Sequence, residues 1–305
     1  MSVESVTKYS ASRGEDFKNL IINVISKGRL KDKYIKLLTN PKSMEHYSNA
    51  FTAESFDKEN NYERFEQIGD VAANHFVISY CYRRFPQLDC TSGVKVIARL
   101  RINYVSKDSF SSIAENLNFW PFISAAIEGT ERNQKYRNRN KKDLLEDVLE
   151  AFIGCTEYLL DEAFRPGVGY GIVYDILESI FNELPMSLEY EDLYDAKTRL
   201  KETTDFKDLK ALIGTLVYYS DKTLDTDEKI CRIYAVPTGI IIPNKPKEAP
   251  NLDLFLRKEW LIGYGTGNIK SDAEQKASEM AIKTLKSAGI FKEPPPEYSF
   301  FCKKK

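Results

Sequence analysis

Apolar residues recur at helical spacing through most of the first 190 positions, and short alternating runs replace that pattern further on. Asp16 to about Ile25 (DFKNLIINVI) and Lys31–Leu38 have the spacing of two short helices. Asn40–Asn61 is polar, contains Pro41 and reads as a loop. It leads into Asn61–Pro86, a long helix that is apolar almost all round from Val71 to Tyr82, as a core helix would be. Arg83 and Arg84 suit the negative end of that helix, and Pro86 cannot continue it. Val94–Phe119 reads as two helices or one bent helix with a junction at Lys107–Ser109, and Asp143–Phe164 as a second apolar helix. The glycines of Pro166–Gly171 then mark a turn between helices, and Pro185 with the acidic Leu188–Asp195 marks a boundary.

Beyond the boundary, Asp195–Glu202 has helical spacing. Gly214–Ser220, Ile230–Val236 and Trp260–Tyr264 look like strands. Ser271–Ser287, with Ala273, Ala277, Ala281 and Leu285 four apart, closes the series as a helix. The order α-β-β-β-α predicts a small sheet with two helices on one face. The expected fold is a mainly α domain over residues 15–188 followed by a small α+β domain over 192–290. An insertion near 241–255 contains three prolines and suits a surface loop, and residues 1–14 and 293–305 are expected to be flexible tails.

Composition narrows the chemistry. Hydrophobic residues make up 42% of the chain and charged residues 29%, which describes a globular protein without disulfide staples. The five cysteines are scattered, with no C-x-x-C pair, and no apolar leader or membrane-spanning run is visible. An intracellular, cytoplasmic protein is expected, with no membrane partner. Net charge is only −1, so there is no global basic signature of a nucleic-acid binder. The chain has two histidines, His46 and His75, which argues against His-rich zinc sites and Ser–His–Asp chemistry. Reactive groups must then come mainly from carboxylates, whose hard oxygens favour Mg2+ or Mn2+.

Two acidic patterns stand out. Glu63, Glu66 and Asp70 fall at i, i+3 and i+7 of the first long helix, and Asp147 and Glu150 at i and i+3 of the second. If the helices pack across each other, Glu66, Asp70, Asp147 and Glu150 can converge on one metal site for phosphodiester hydrolysis, with water attacking in line. Equally, Glu146, Asp147 and Glu150 could be the solvent-facing stripe of an amphipathic helix, and spacing alone does not choose. Thr130–Lys142 gathers Arg132, Lys135, Arg137, Arg139, Lys141 and Lys142. Such a run is commonly a solvated loop, but its place just before Asp147 favours a phosphate contact.

Glu63–Asp70 (ERFEQIGD) followed downstream by Glu146–Gly154 (EDVLEAFIG) resembles the signature of the ribonuclease III family, and Arg83–Pro86 and Ala98–Ala114 resemble it in order. The resemblance spans roughly residues 15–290 and implies an endoribonuclease that cleaves double-stranded RNA with Mg2+, leaving staggered ends, as a homodimer through the catalytic domain. It implies metal ligation by Glu66, Asp70, Asp147 and Glu150, direct catalytic roles for Asp70 and Glu150, and an auxiliary role for Glu63. There are departures. Tyr62 stands where the family usually has Asn, Val71 where a small residue is common, and Gln67 where an aromatic or apolar residue helps form the dimer contact. The chain resembles a divergent, viral or protist member. Its last third resembles a double-stranded RNA-binding domain, through Lys197, Thr198, Leu200 and Glu202 and through Gly265, Gly267, Lys270, Ala273, Glu274 and Gln275. That resemblance implies RNA contacts by Lys197, Thr198, Glu202 and Lys270, but the acidic Asp221–Lys229 turn predicts weak binding with a shallow salt dependence. The competing expectation is a non-cleaving protein that sequesters duplex RNA.

Overall fold

The computed structural model describes residues 6–128, 134–222, 228–240 and 257–302. The chain divides into two compact units, Met1–Met186 and Ser187–Lys305. The first is mainly helical: α1 (Glu15–Ser26), α2 (Asp32–Leu38), α3 (Pro41–Ala50), α4 (Glu63–Arg84), α5 (Gly93–Tyr104), α6 (Lys107–Asn116), α7 (Gln134–Ala163) and α8 (Val168–Asn182). Among the described residues of this unit, strands β1 (Val6–Tyr9) and β2 (Ala125–Glu128) pair antiparallel. Among the described residues no helix is long and apolar enough to cross a membrane.

Local chemistry explains the helix ends. The Ser106 hydroxyl accepts from the Ser109 amide and starts α6, so Val94–Phe119 is two helices. The turn between α7 and α8 is made by Gly167, at φ 89°, while the Gly167 and Gly169 amides donate to the Asp161 carboxylate at 2.9 and 2.7 Å.

Four expectations for this unit need correction. Part of the expected loop at Asn40–Asn61 is helix α3: Asn40 caps it by accepting from the Ser43 amide, Pro41 opens it, and Tyr47 is buried with its hydroxyl 2.9 Å from that of Thr156. Polar composition hid a helix whose buried face is one tyrosine and small residues. The expected tail 1–14 is fixed from Val6 onward. Beyond its strand pairing, the Arg13 guanidinium donates to the carbonyls of Phe122 (2.6 Å) and Phe51 (3.1 Å) and to the Ser48 hydroxyl (2.9 Å). The basic stretch 130–142 is helical from Gln134, continuous with α7. Finally, α4 is not apolar-buried all round. Ala72, Ala73, Phe76, Val77, Tyr80 and Cys81 are buried, whereas Val71 is 68% exposed and Ile78 lies at the surface.

The closest packing in this unit is between α4 and α7. A Cβ added to Gly69 would overlap the Glu150 carbonyl, and one added to Gly154 would overlap the Phe65 carbonyl. Each overlap is with helical backbone, which cannot swing aside as a side chain can. The two glycines therefore set the distance between the helices.

The second unit contains α9 (Tyr190–Leu193), α10 (Ala196–Asp205), α11 (Lys207–Ile213), β3 (Thr215–Lys222), β4 (Lys229–Val236), β5 (Leu261–Gly267), α12 (Lys270–Ser287) and α13 (Pro296–Cys302). The strands form one antiparallel sheet in the order β3-β4-β5, with Tyr218 opposite Ile233 and Ile233 opposite Gly263. Leu200 of α10 and Ala273, Ala277, Ala281 and Leu285 of α12 pack with Cys231 and Ile233 in one core. This is the expected α-β-β-β-α arrangement, with α11 as an addition. The expected tail 293–305 is also corrected: α13 buries Tyr298, whose ring centroid lies 5.3 Å from that of Tyr190 and 5.7 Å from that of Tyr194. The insertion near 241–255 lies outside the described residues.

Gly69→Ala should cost more than about 4 kcal/mol and lower the melting temperature of the first unit by at least ~10 °C. Gly171→Ala, where a Cβ meets nothing within 4 Å, should melt like the parent. Thermal unfolding followed by circular dichroism distinguishes the two, and equal melting of both variants would contradict the close-packing argument.

Candidate active site

The crossing of α4 and α7 brings both acidic patterns together. Glu63 and Asp70 are exposed on α4 with Glu66 half-buried between them, while on α7 Asp147 is half-buried and Glu150 is only 7% exposed. Burial pushes the Glu150 carboxyl up to about 8, assisted by the charges of Asp70, Glu146, Glu66 and Asp147. Burial likewise pushes Glu66 up to about 7, with Asp147, Glu63, Glu146 and Asp70 adding to it. Acids from two separate motifs thus share one field, which a simple solvent-facing stripe would not produce.

Neighbouring groups hold some of these acids and leave others alone. The Tyr62 hydroxyl donates to Asp147 Oδ2 at 2.7 Å. Asn74 Nδ2 donates to Asp70 Oδ1 at 2.8 Å, and Arg101 donates to Asn74 Oδ1 at 2.8 Å. Lys107 Nζ lies 2.8 Å from Asp143 and 3.1 Å from Glu146, and these hydrogen bonds raise its pKa. Glu63 also lines an open cleft of about 510 Å3 with His46, Asn49, Lys58, Asn61 and Arg64.

An all-oxygen donor set with two raised carboxyl groups fits a hard divalent cation. Among the described residues, no three His, Cys, Asp or Glu side chains stand close enough together to hold a metal ion. Like charge opposes tighter convergence, so the donor chemistry fits the cation while the arrangement falls short of a coordination shell.

The basic candidates are placed differently. The side chains of Arg137 and Arg139 lie outside the described residues. Lys141 is paired with Glu115 at 2.5 Å and sits over the Trp120 ring. In the second unit, Lys197 and Lys270 both pair with Glu274, at 2.6 and 3.5 Å. Thr198 bonds to Asp195, and Glu202 accepts from Tyr190 at 2.6 Å and Lys292 at 3.3 Å.

Sequence reasoning passed over Tyr62, Asn74, Arg101 and Lys107 as parts of this site. Tyr62 and Asn74 carried a readable signal, since one precedes Glu63 and the other lies one helical turn after Asp70. Arg101 and Lys107 arrive from α5 and α6, and only the tertiary fold reveals them.

Comparison with known proteins bears on the family. A family model described as the Ribonuclease III domain matches residues 63–158, a span containing all five acids. A protein of Invertebrate iridescent virus 6 that carries the provisional name ribonuclease 3 is 39% identical over 306 residues, covering 96% of this chain and 95% of that one. A similarly named protein of Frog virus 3 (isolate Goorha) is 34% identical, over 89% of this chain and 63% of its own length. Ribonuclease 3 of Borreliella burgdorferi is 26% identical, over 79% of this chain and 83% of its own. The chain belongs to the ribonuclease III family.

The raised carboxyl of Glu150 has a consequence for stability. Its folded value, about 8, lies above the usual value of about 4.3, so the folded state binds the proton more tightly. The stabilisation is complete below about pH 4.3 and is lost as pH rises towards 8. In EDTA at pH 8, Glu150→Gln should melt a few degrees higher than the parent, with the difference vanishing near pH 4. A variant that melts lower at pH 8 would contradict the clustered charge.

Proposed function

We propose that this protein is a divalent-metal-dependent endoribonuclease that hydrolyses both strands of double-stranded RNA and leaves staggered ends. The observation that carries the reading is the meeting of Glu66, Asp70, Asp147 and Glu150 at the α4–α7 crossing, in the span matched by the family model. These four would hold Mg2+, or Mn2+ in its place. The bound cation would neutralise the scissile phosphate and lower the pKa of water. Asp70 and Glu150 would stand nearest the reacting atoms, orienting water and accepting its proton, and Glu63 would act from the adjoining cleft. The buried position of Glu150 keeps bulk water from screening its charge, so its interaction with a cation is stronger than on an open surface.

Each subunit would cut one strand of a duplex held across a homodimer. The exposed side of α4 supports that assembly: Gln67, Ile68, Val71 and His75 line an open groove with Tyr170, whose ring stacks on His75 at 4.4 Å. Gln67 places a polar amide in this groove, which a partner must satisfy with a hydrogen bond. The second unit would bind duplex RNA through Lys197, Thr198, Glu202 and Lys270, assisted by Arg137, Arg139 and Lys141 beside the cut. Because Glu274 already pairs with Lys197 and Lys270, few counterions would be released and binding would depend weakly on salt. The buried thiols of Cys81, Cys155 and Cys231 suit a reducing cytoplasm.

The test is incubation of a long RNA duplex with and without Mg2+. Cleavage should require the metal and should fall at least about a thousandfold in Asp70→Asn and in Glu150→Gln, with duplex binding retained. Duplex shifted on a gel but uncut in every lane would replace the enzyme with the sequestering binder.

A further inference from the structure

The four central carboxylates are not held alike. Asp147 accepts from the Tyr62 phenol at 2.7 Å, and Asp70 accepts from the Asn74 amide at 2.8 Å. Asn74 cannot turn away from Asp70 freely. Its Nδ2 also donates to the Asp70 backbone carbonyl at 2.8 Å, and its Oδ1 accepts from Arg101 at 2.8 Å. Tyr62 is equally fixed, because its ring is buried at the start of α4. Among the described residues, neither Glu66 nor Glu150 receives a hydrogen bond on its carboxylate.

We propose that Tyr62 and the Asn74–Arg101 pair are positioning residues that preset the two aspartates of the site, leaving the two glutamates free to close on the cation. Geometry supports the division. Each tether occupies one carboxylate oxygen of its aspartate and leaves the other free to ligate. Aspartate has a single methylene, so fixing one oxygen largely fixes the other. Glutamate has one more rotatable bond, so an untethered Glu66 or Glu150 carboxylate keeps more freedom to turn than a tethered aspartate. The inference rests on the proposed metal site.

The test is Mn2+ binding to the full-length protein, followed by electron paramagnetic resonance without RNA, beside the cleavage rate as a function of Mg2+ concentration. Tyr62→Phe and Asn74→Ala are each expected to weaken Mn2+ binding about tenfold. Cleavage at low Mg2+ should drop with KM for duplex unchanged, and raised Mg2+ should restore the rate. In a double-mutant cycle, Tyr62→Phe should add nothing to the loss already caused by Asp147→Asn. If Tyr62→Phe unfolds, Asn74→Ala decides the outcome, since Asn74 is only half-buried. Affinity within about twofold of the parent in the folded variants would overturn the tethers while leaving the metal site standing. Failure of the parent itself to bind Mn2+ would instead overturn the metal site, and the tethers with it.

Discussion

The approach of α4 to α7 at Gly69 and Gly154 is the constraint on which the nuclease-like unit depends. Neither helix presents a side chain at the point where each meets the other's backbone carbonyls. That absence lets Glu66 and Asp70 on one helix face Asp147 and Glu150 on the other, though the two motifs lie far apart in sequence. A methyl group at either glycine would push the helices apart and separate the acids. The small residues therefore serve the carboxylates: they supply the distance, and the carboxylates supply the charge.

That charge is held at a cost in stability. Glu66 and Glu150 are each raised by burial and by their acidic neighbours, while Lys107 is engaged by Asp143 and Glu146. A structural ion-pair network would bring its cation among the acids. Here Lys107 pairs with Asp143 and Glu146, and among the described residues no salt bridge reaches Glu66, Asp70, Asp147 or Glu150. Such an arrangement opposes folding by itself and favours a divalent partner, which is the usual trade between stability and function at an active site.

The acidic patterns were legible because their spacing on a helix is a local property. The α-β-β-β-α order was legible for the same reason, through the change from helical to alternating periodicity. The features missed depend on distant contacts. Nothing in Pro41–Ala50 announces that Tyr47 will bury its ring and bond to Thr156, so polar composition suggested a loop. Arg13 in a polar arm gives no hint that the carbonyls of Phe51 and Phe122 will receive it. Val71 looked like core and proved exposed, because hydropathy records that a surface is apolar and not whether this chain covers it. Tyr62 read as a departure from a pattern, and its hydrogen bond to Asp147 became visible only once the helices had crossed.

The second unit shows a related economy of charge. Glu274 neutralises both lysines that the sequence marked for RNA, and Glu202 is held by Tyr190 and Lys292. Recognition there, under the proposed function, would have to compete with contacts already made. The central claim is that a cation-binding site lies between α4 and α7. Crystals of the protein soaked in Mn2+, with diffraction collected to locate anomalous scatterers, test it most directly. The account predicts one or two manganese peaks within about 2.3 Å of carboxylate oxygens of Glu66, Asp70, Asp147 or Glu150. Manganese bound elsewhere, with these four acids unliganded at saturating concentration, would contradict it.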